Sequence, residues 1–376
     1  MNGVMNELST IECPHFDICS GCTLNGSVTH PPIWNEIESF FLHLSPELNP
    51  RLNVGSVRNW RTRAKLAVRG SSQNPTIGLF RKKSHDAFAI PFCQVHHPAI
   101  NRAVLILSEA IREAKIAPFD EKKGLLRYAQ FFVSLQTGQV SLSLVWNGRE
   151  CVKEMDLLKE RLLLKGPWHS IWHNFQPLIT NRIFGDEWLC AFGESFIQQK
   201  LNGIEISFHP GAFSQAHWTL FEKLAHQVGK WVPNGARLLE IYSGVGALGL
   251  LASHRTARVD LVESNPFARL SFEAMTSHEN VHFHSLEAKD ALHLLRKSDT
   301  IIVDPPRKGL DAVLLKALTK TSGRLIYVSC DFQSFRRDAL ELPRYGWVLK
   351  EAEGFLLFPG TDHVEIASLF ERTKTF

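Results

Sequence analysis

The feature that most constrains the fold is a regular alternation of short apolar runs and helical segments after about residue 206. The apolar runs predict strands at 237–241, 259–263, 281–284, 300–303 and 324–328. Helical segments at 267–277 and 310–319 stand between them. This alternation is typical of an α/β fold with a doubly wound, mostly parallel sheet, because parallel strands need a crossover between them. A last apolar strand at 364–370 is predicted to close the sheet as an antiparallel hairpin strand.

The part of the chain before residue 206 has a different pattern. From about 54 to 205, polar and apolar residues alternate in runs such as 65–69 and 139–145, as they do in half-buried strands. Residues 34–44 predict a short amphipathic helix. We therefore expect three segments: a cysteine-bearing segment at 1–50, a β-rich domain at 51–205 and an α/β domain at 206–376.

Bulk composition fits a soluble globular protein. The chain has 376 residues, 44% of them hydrophobic and 21% charged. No apolar run approaches the roughly 18 residues that cross a bilayer, and the N-terminus lacks the regions of a signal peptide. We expect a cytoplasmic protein with no membrane partner. Its 7 cysteines, an odd and clustered set, indicate metal binding or catalysis rather than a disulfide framework.

Charge is unevenly distributed along the chain. Residues 51–130 contain 15 lysines or arginines and 5 aspartates or glutamates, a net charge of +10. The remaining residues carry −6, because the whole chain carries +4. Such asymmetry indicates a polyanionic partner, although a solvated basic face is the alternative. The candidates for phosphate contacts are Arg61, Arg63, Lys65, Arg69, Arg81, Lys82 and Lys83.

A glycine-rich turn follows the first strand of the alternating region. Gly244 and Gly246 directly after an apolar strand allow a ligand to approach the backbone at the start of a helix. Glu263, 17 residues after Gly246, ends the next predicted strand, where an acid can bind ribose hydroxyls. Gly249 occupies the place of the third glycine of a dehydrogenase. The turn alone therefore does not separate NAD from S-adenosylmethionine.

The Asp-Pro-Pro-Arg run at 304–307 favours S-adenosylmethionine over NAD. It resembles the Asp/Asn-Pro-Pro motif at the fourth strand of methyltransferases, whose amine-methylating members have an aromatic residue after the prolines. Arg307 at this position disfavours amine methylation. A guanidinium suits a phosphate, a carboxylate or a pyrimidine carbonyl.

One thiol and one carboxylate, together with the cofactor turn, supply the groups that methylation of uracil at C5 requires. A thiolate that adds to C6 makes C5 a nucleophile toward a sulfonium methyl, and a base must then remove the C5 proton. Cys330, the turn at 240–247 and Glu365 supply these groups. An isolated cysteine after a strand is more often a small buried hydrophobe, so the prediction depends on the joint placement of all three.

These motifs resemble the S-adenosylmethionine-dependent RNA uracil-5-methyltransferases, which make 5-methyluridine in ribosomal and transfer RNA. The resemblance covers nearly the whole chain. It implies a Rossmann-like methyltransferase domain preceded by a β-rich RNA-binding domain with an N-terminal iron–sulfur segment. The Ser329-Cys330 pair is similar to the nucleophile motif, which implies Cys330 as nucleophile. The run 358–365 is similar to the terminal motif, which implies Glu365 as proton acceptor.

The resemblance also implies a set of residues that bind S-adenosylmethionine. Phe-Ser-Gln at 213–215 resembles a Phe-x-Gln-x-Asn run whose glutamine contacts the cofactor. The implied set is Gln215, Tyr242, Gly244, Gly246, Ala247, Glu263 and Asp304. Two residues depart from the family pattern, which has asparagine where this chain has His217 and Asp331. A carboxylate beside Cys330 is expected to raise the pKa of the thiol unless it is paired.

Four cysteines are spaced as metal ligands: Cys13, Cys19, Cys22 and Cys93. Zinc and iron–sulfur clusters both accept four thiolates, so the spacing alone leaves them comparable. The segment 13–22 closely resembles the iron–sulfur segment of the family, and Cys93 matches its fourth ligand. The resemblance therefore implies a [4Fe-4S] cluster with a structural or RNA-orienting role. The remaining cysteines, Cys151 and Cys190, are expected to be core residues.

The resemblance also bears on the substrate. Because the cysteine segment begins at Cys13, we expect no N-terminal β-barrel module, which favours the shorter 23S rRNA type. The expected partner is RNA and the expected state a monomer. A tRNA uridine-5-methyltransferase is the alternative, as is a non-catalytic RNA-binding or iron–sulfur protein on the same scaffold. A small-molecule methyltransferase would leave the basic segment unexplained.

Overall fold

The computed structural model describes residues 11–120, 122–275, 279–318, 321 and 323–372. Internal contacts divide the chain into two compact units. One unit contains described residues 26–55 and those from 200 onward, and we call it the methyltransferase unit after the activity that its motifs predict. The second unit contains 11–25 and 56–199. The division into segments 1–50, 51–205 and 206–376 remains a prediction. None of the helices in the described part of the chain has both the length and the apolarity that crossing a bilayer requires.

The strands of the described residues are numbered in chain order. They are β1 Arg51–Asn53, β2 Arg63–Gly70, β3 Pro75–Phe80, β4 Ala87–Ala89, β5 Leu126–Val133, β6 Val140–Trp146, β7 Trp168–Phe175, β8 Glu187–Gly193, β9 Ile197–Leu201, β10 Ile204–Phe208, β11 Arg237–Ile241, β12 Arg258–Val262, β13 Val281–His284, β14 Thr300–Val303, β15 Gly323–Ser329, β16 Val348–Phe355 and β17 Glu365–Arg372.

The α-helices of the described residues are numbered in the same way. They are α1 Ile33–Leu44, α2 Pro98–Ala114, α3 Val152–Leu163, α4 Trp218–Trp231, α5 Ala247–Ser253, α6 Pro266–Glu273, α7 Leu292–Leu295, α8 Ala312–Ala317 and α9 Phe332–Glu341.

The methyltransferase unit is built on an eight-stranded mixed sheet. Its order is β1-β16-β17-β15-β14-β11-β12-β13. Strands β11 to β15 run parallel, whereas β17 pairs antiparallel with both β15 and β16. The predicted parallel sheet with a closing antiparallel strand is therefore confirmed. Short apolar strands alternate with helices here because each crossover must return the chain to the same edge of the sheet.

Helix α1 covers part of this sheet together with α9. Its buried residues, Trp34, Ile37, Phe40 and Phe41, form one face at helical spacing. The ring of Phe335 on α9 meets the rings of Phe40 and Phe41 edge-on, with centroids 6.3 and 5.9 Å away. Such pairs each contribute about 0.5–1.5 kcal/mol beyond burial. The predicted helix at 34–44 is confirmed, and its packing holds α9 behind the turn that carries Cys330.

The second unit has a seven-stranded sheet of order β4-β3-β2-β5-β6-β7-β8. Its pairs are antiparallel except β6 with β7, which are parallel. Helix α3 connects these two strands, since a parallel pair needs a crossover. The expectation of mostly strands missed α2 and α3, whose apolar faces enter the core of this unit. Helix α2 begins at His97 and Pro98, a cap and first-turn proline that mark a helix start.

Candidate active site

The predicted site residues of the methyltransferase unit lie where neighbouring parallel strands end. Ile241 pairs with Val262 on one side and with Val303 on the other. The residues that directly follow these three strands are Tyr242, Glu263 and Asp304, respectively. Ligands in open α/β sheets bind at this carboxyl edge.

A cavity of about 450 Å³ opens at this edge. Its lining includes five residues that the sequence singled out for cofactor binding: Gln215, Tyr242, Gly244, Ala247 and Asp304. Gly246 and Glu263 are not among the residues that line it. The fold thus brings together side chains that are up to 89 positions apart in the chain.

Glu263 and Gly246 shape the turn beside the cavity. The carboxylate of Glu263 accepts hydrogen bonds from the backbone N–H of Gly244 at 3.1 Å and of Ser264 at 2.8 Å. Gly246 has φ +84°, and a Cβ there would lie 2.4 Å from Cδ1 of Leu261. Only glycine satisfies both conditions. These two residues therefore hold the backbone that faces the cavity.

Glu240 lines the same cavity and was missed by the sequence reasoning. Its Oε2 accepts a 2.7 Å hydrogen bond from the backbone N–H of Gly249. Burial first, with the charges of Asp304 and Glu263, raises the pKa of Glu240 to about 8 against the opposing effect of the hydrogen bond from Gly249. An acid at the end of an apolar strand, directly before a glycine turn, was the available signal.

Cys330 and Glu365 come together through the register of two antiparallel strands. Ser329, the last residue of β15, pairs with Ile366 of β17. Extending this register by one residue sets Cys330 opposite Glu365, the first residue of β17, and the charge of Glu365 raises the pKa of the Cys330 thiol. Glu365 is 2% exposed, and neither of its carboxylate oxygens has a hydrogen-bond partner among the described residues. A buried carboxylate without partners is costly, and such a group calls for a functional explanation.

The charges of this site act on one another. Burial raises the pKa of Cys330 to about 12, with further contributions from Glu365 and Asp304, whereas Arg307 lowers it. Burial raises the pKa of Asp304 to about 7. The pKa of Glu365 lies well above its usual range, first through burial and then through Asp304. A thiol, two carboxyl groups and one guanidinium therefore share a single electrostatic environment.

Asp331 is paired within its own helix. It is the N-cap of α9, and its Oδ1 accepts a 2.9 Å hydrogen bond from the backbone N–H of Ser334. The carboxyl groups that raise the pKa of Cys330 are Glu365 and Asp304. Asp331 can therefore replace the asparagine of the family pattern as the N-cap of α9, since Asp and Asn are about equally good caps.

Asp338 of α9 fixes two of the loops that carry site residues. It is fully buried, and its Oδ2 accepts hydrogen bonds from the hydroxyl of Tyr327 at 2.8 Å and the backbone N–H of Leu310 at 2.7 Å. The first donor lies on β15 before Cys330, and the second follows the run 304–307. No sequence motif marked this residue.

His217, the other residue that differs from the family pattern, is buried at the start of α4. Its ring packs against Gly55, where a Cβ would lie 2.6 Å from Nε2 of the histidine. Its neighbours Gln215 and Trp218 line the cavity described above, but His217 does not. Its position is that of a packing residue at the helix start.

The four cysteines of the predicted cluster all belong to the second unit. Burial first, and then the charges of Cys19, Cys93 and Cys13, raise the pKa of Cys22 to about 11, so the thiols lie near one another. Among the described residues, however, no three histidine, cysteine, aspartate or glutamate side chains are arranged to hold a metal ion. The donors are grouped without forming a coordination shell.

The remaining cysteines and basic candidates fall into different environments. Cys151 is a core residue as predicted, whereas Cys190 is only partly buried on β8 and lies outside the core, so that prediction is wrong. Arg63 is buried and donates to Oε1 of Gln130 at 3.1 Å, which removes it from the exposed basic surface. Lys82 and Lys83 are exposed.

Comparison with known proteins adds independent information. The family model of the tRNA (uracil-5-)-methyltransferases matches residues 257–373. An uncharacterized RNA methyltransferase of Protochlamydia amoebophila is 41% identical, covering 96% of this chain and 98% of its own. Another, from Halalkalibacterium halodurans, is 27% identical and covers 95% of this chain and 82% of its own.

A solved structure is similar over most of the chain. It is the Pyrococcus abyssi tRNA (uracil-54, C5)-methyltransferase in complex with S-adenosyl-L-homocysteine. It superposes with a TM-score of 0.74 at 25% identity and covers 92% of this chain and 85% of its own. The fold is therefore that of an S-adenosylmethionine-dependent methyltransferase. Together with the relative at 41% identity, these matches show that the chain belongs to the RNA uracil-5-methyltransferase family, whose members are S-adenosylmethionine-dependent enzymes.

Proposed function

We propose that this protein methylates C5 of a specific uridine in 23S rRNA. The observation that carries the proposal is the buried carboxylate of Glu365, which has no hydrogen-bond partner among the described residues and lies next to Cys330 in the strand register. A base that must take a proton from carbon needs a free lone pair and a raised pKa. Both are properties of this carboxylate.

The chemistry assigns one role to each group. The thiolate of Cys330 forms a bond to C6 of the uracil, which places the displaced electron pair in an enolate with C5 as its nucleophilic carbon. S-Adenosylmethionine supplies the methyl group. Glu365 then accepts the C5 proton, the electrons of that C–H bond re-form the C5–C6 double bond, and the sulfur leaves as thiolate. Arg307 favours this thiolate, because its charge lowers the pKa of Cys330.

We assign the cofactor to the 450 Å³ cavity. Gln215, Tyr242, Ala247 and Asp304 are the proposed side-chain contacts, and Gly244 supplies backbone. Gly246 and Glu263 act by holding the turn. S-Adenosyl-L-homocysteine in the related archaeal structure supports a cofactor of this class.

We propose a [4Fe-4S] cluster on Cys13, Cys19, Cys22 and Cys93. The grouping of these thiols in one unit supports the donor set. The backbone of Cys19 pairs with that of Arg81 in an isolated antiparallel β-bridge. This pairing anchors the cysteine segment to the turn after β3. Alanine at Cys22 is expected to abolish the broad visible absorbance and to lower the melting temperature. Colourless, fully active protein with stoichiometric zinc would contradict the assignment.

A trapping experiment tests the reaction. RNA that contains 5-fluorouridine should form a covalent complex with the wild type, because fluorine at C5 blocks the proton abstraction that releases Cys330. Cys330→Ala should form none, and Glu365→Gln should trap an adduct on unmodified RNA. Methylation by Cys330→Ala would disprove the mechanism.

The choice of RNA is tested separately. The archaeal neighbour acts on tRNA, so a tRNA substrate is the competing proposal. Methyl transfer to purified 23S rRNA and to a tRNA pool, both from a strain that lacks this protein, distinguishes the two. We also propose a cytoplasmic monomer, which sedimentation of the purified protein and cell fractionation would check.

A further inference from the structure

The second unit contains a large open cleft that the proposed chemistry does not use. It has a volume of about 1190 Å³ and lies between α3 and the strands β7 and β8. Strand β8 is the outermost strand of its sheet. Met155 of α3 and Phe175 of β7 contribute apolar surface, as does Leu189 of β8, which is 52% exposed. The cleft is therefore an apolar surface with one open side.

A single buried histidine lines this cleft. His173 is 2% exposed, and its Nδ1 accepts a 2.9 Å hydrogen bond from Nε1 of Trp146. That bond fixes the tautomer, so Nε2 carries the hydrogen. Nε2 has no partner among the described residues. Burial lowers the pKa of His173 to about 4, so the ring is neutral at physiological pH. The cleft thus contains one hydrogen-bond donor of fixed orientation.

The rim charges cancel one another. Arg149 pairs with Glu187, and Nζ of Lys159 lies 2.8 Å from Oδ1 of Asp156. Exposed pairs of this kind are worth only about 0–1 kcal/mol, and two cations with two anions attract no phosphate strongly. The occupant is therefore selected by shape, apolar faces and an acceptor atom rather than by charge.

An unstacked nucleobase has these properties. Its faces are apolar and stack on aromatic side chains, and its edge offers carbonyl or ring-nitrogen acceptors. Phe175 lines the cleft, and the guanidinium carbon of Arg149 lies 5.5 Å from the centre of its ring. Bases stack on guanidinium planes as well as on aromatic rings. Family membership makes RNA the available source of such a base.

We propose that this cleft binds one base of the RNA substrate other than the target uridine, stacked on its apolar walls and hydrogen-bonded to Nε2–H of His173. The inference rests on the proposed function only in taking RNA as the substrate. It requires neither the assigned nucleophile nor a particular RNA.

Two oligonucleotides of equal length test the proposal: a 12-residue oligoadenylate and the matching abasic ribose–phosphate chain. Leu189→Gln removes an apolar wall without adding charge. We expect it to weaken oligoadenylate binding about fivefold or more, as loss of base stacking does, and to leave affinity for the abasic chain unchanged. Leu105→Gln on α2 is the matched control, because Leu105 is 45% exposed in the same unit and lies outside the cleft.

A second variant isolates the donor. In His173→Asn the side-chain oxygen can still accept from Trp146, while the hydrogen on Nε2 is lost. We expect the same selective loss for oligoadenylate at a melting temperature close to that of the wild type.

Equal affinity of Leu189→Gln and the wild type for oligoadenylate would overturn the proposal, as would an equal loss on the abasic chain. The first result is also the outcome expected if the cleft binds a protein. Covalent trapping of 5-fluorouridine RNA by Leu189→Gln at saturating RNA reports on the proposed reaction independently.

Discussion

At the scale of single residues, the proposed nucleophile Cys330 is held mainly as the protonated thiol. The thiol of Cys330 is partly buried, and the charges of Glu365 and Asp304 raise its pKa further, whereas Arg307 is the cation that opposes them. A pKa of about 12 means that little thiolate exists at neutral pH in the free protein. Such a thiol is protected from oxidation and alkylation until the substrate changes its environment.

Alkylation of Cys330 by iodoacetamide measures this effect. The wild-type rate should be slow at pH 7 and rise as the pH increases toward the pKa. Where Glu365 is ionised, Glu365→Gln removes a negative charge. In the alkaline range in which Cys330 titrates, this change should lower the pKa of the thiol and accelerate alkylation, since a fall of one unit raises the thiolate fraction about tenfold. Arg307→Ala should slow it. Peptide mass spectrometry follows the reaction, with Cys190 as internal control. An unchanged rate in Glu365→Gln would show that the carboxylate does not act on the thiol.

At the scale of elements, the turn between β11 and α5 forms one side of the cofactor cavity. Gly244 and Gly246 both have positive φ, but they differ in their surroundings. A Cβ at Gly246 would collide with Leu261, whereas one at Gly244 would meet nothing within 4 Å. A side chain at Gly244 would therefore introduce backbone strain alone, whereas one at Gly246 would introduce both strain and a steric collision.

Alanine at each position tests this difference. Gly246→Ala should weaken S-adenosylmethionine binding at least tenfold, because strain at positive φ costs about 1–3 kcal/mol and the collision adds to it. Gly244→Ala should have a smaller effect, since only the strain applies. Isothermal titration calorimetry gives both affinities. Equal losses would show that the contact with Leu261 is unimportant.

The helix that follows Cys330 supports a second prediction at this scale. Asp331→Ala removes the N-cap of α9 and should cost about 1 kcal/mol of unfolding free energy. Asp331→Asn keeps a capping oxygen and should retain stability and Cys330 reactivity. Chemical denaturation measures both variants. Destabilisation by asparagine as large as that by alanine would contradict the capping role.

At the scale of the whole molecule, the proposed cofactor site and most of the proposed phosphate-binding residues belong to different units. The cofactor cavity, Cys330 and Glu365 belong to the methyltransferase unit, and most of the basic segment 51–130 belongs to the second. This arrangement predicts that RNA affinity and cofactor affinity respond to different substitutions.

The salt dependence of RNA binding tests this division. Replacing both Lys82 and Lys83 by alanine should weaken RNA binding and reduce the salt slope by about 1–2, because each lost phosphate contact lowers it by about 0.7–0.9. Affinity for S-adenosylmethionine should remain unchanged. Lys350→Ala, an exposed lysine of the methyltransferase unit, is the control and should leave the slope intact. An unchanged slope in the double variant would exclude phosphate contacts there.

The sequence by itself determined six of the eight strands in the large sheet of the methyltransferase unit. Strand-length apolar runs and helical periodicity are local properties, so β11, β13 and β14 were predicted with their observed bounds. The glycine turn, Asp304 and Cys330 could be identified because each follows such a strand directly. Helices α2 and α3 were missed because runs of alternating residues on either side dominated the interpretation of that segment.

Only the tertiary structure decided what these residues do to one another. The register of β15 with β17 places Glu365 next to Cys330, and burial leaves the Glu365 carboxylate without a partner among the described residues. The same burial gives Cys330 its raised pKa, while the cap at Asp331 satisfies the carboxylate that looked unfavourable in sequence. Strand pairing, desolvation and charge coupling depend on distances between residues far apart in the chain, which local patterns do not contain.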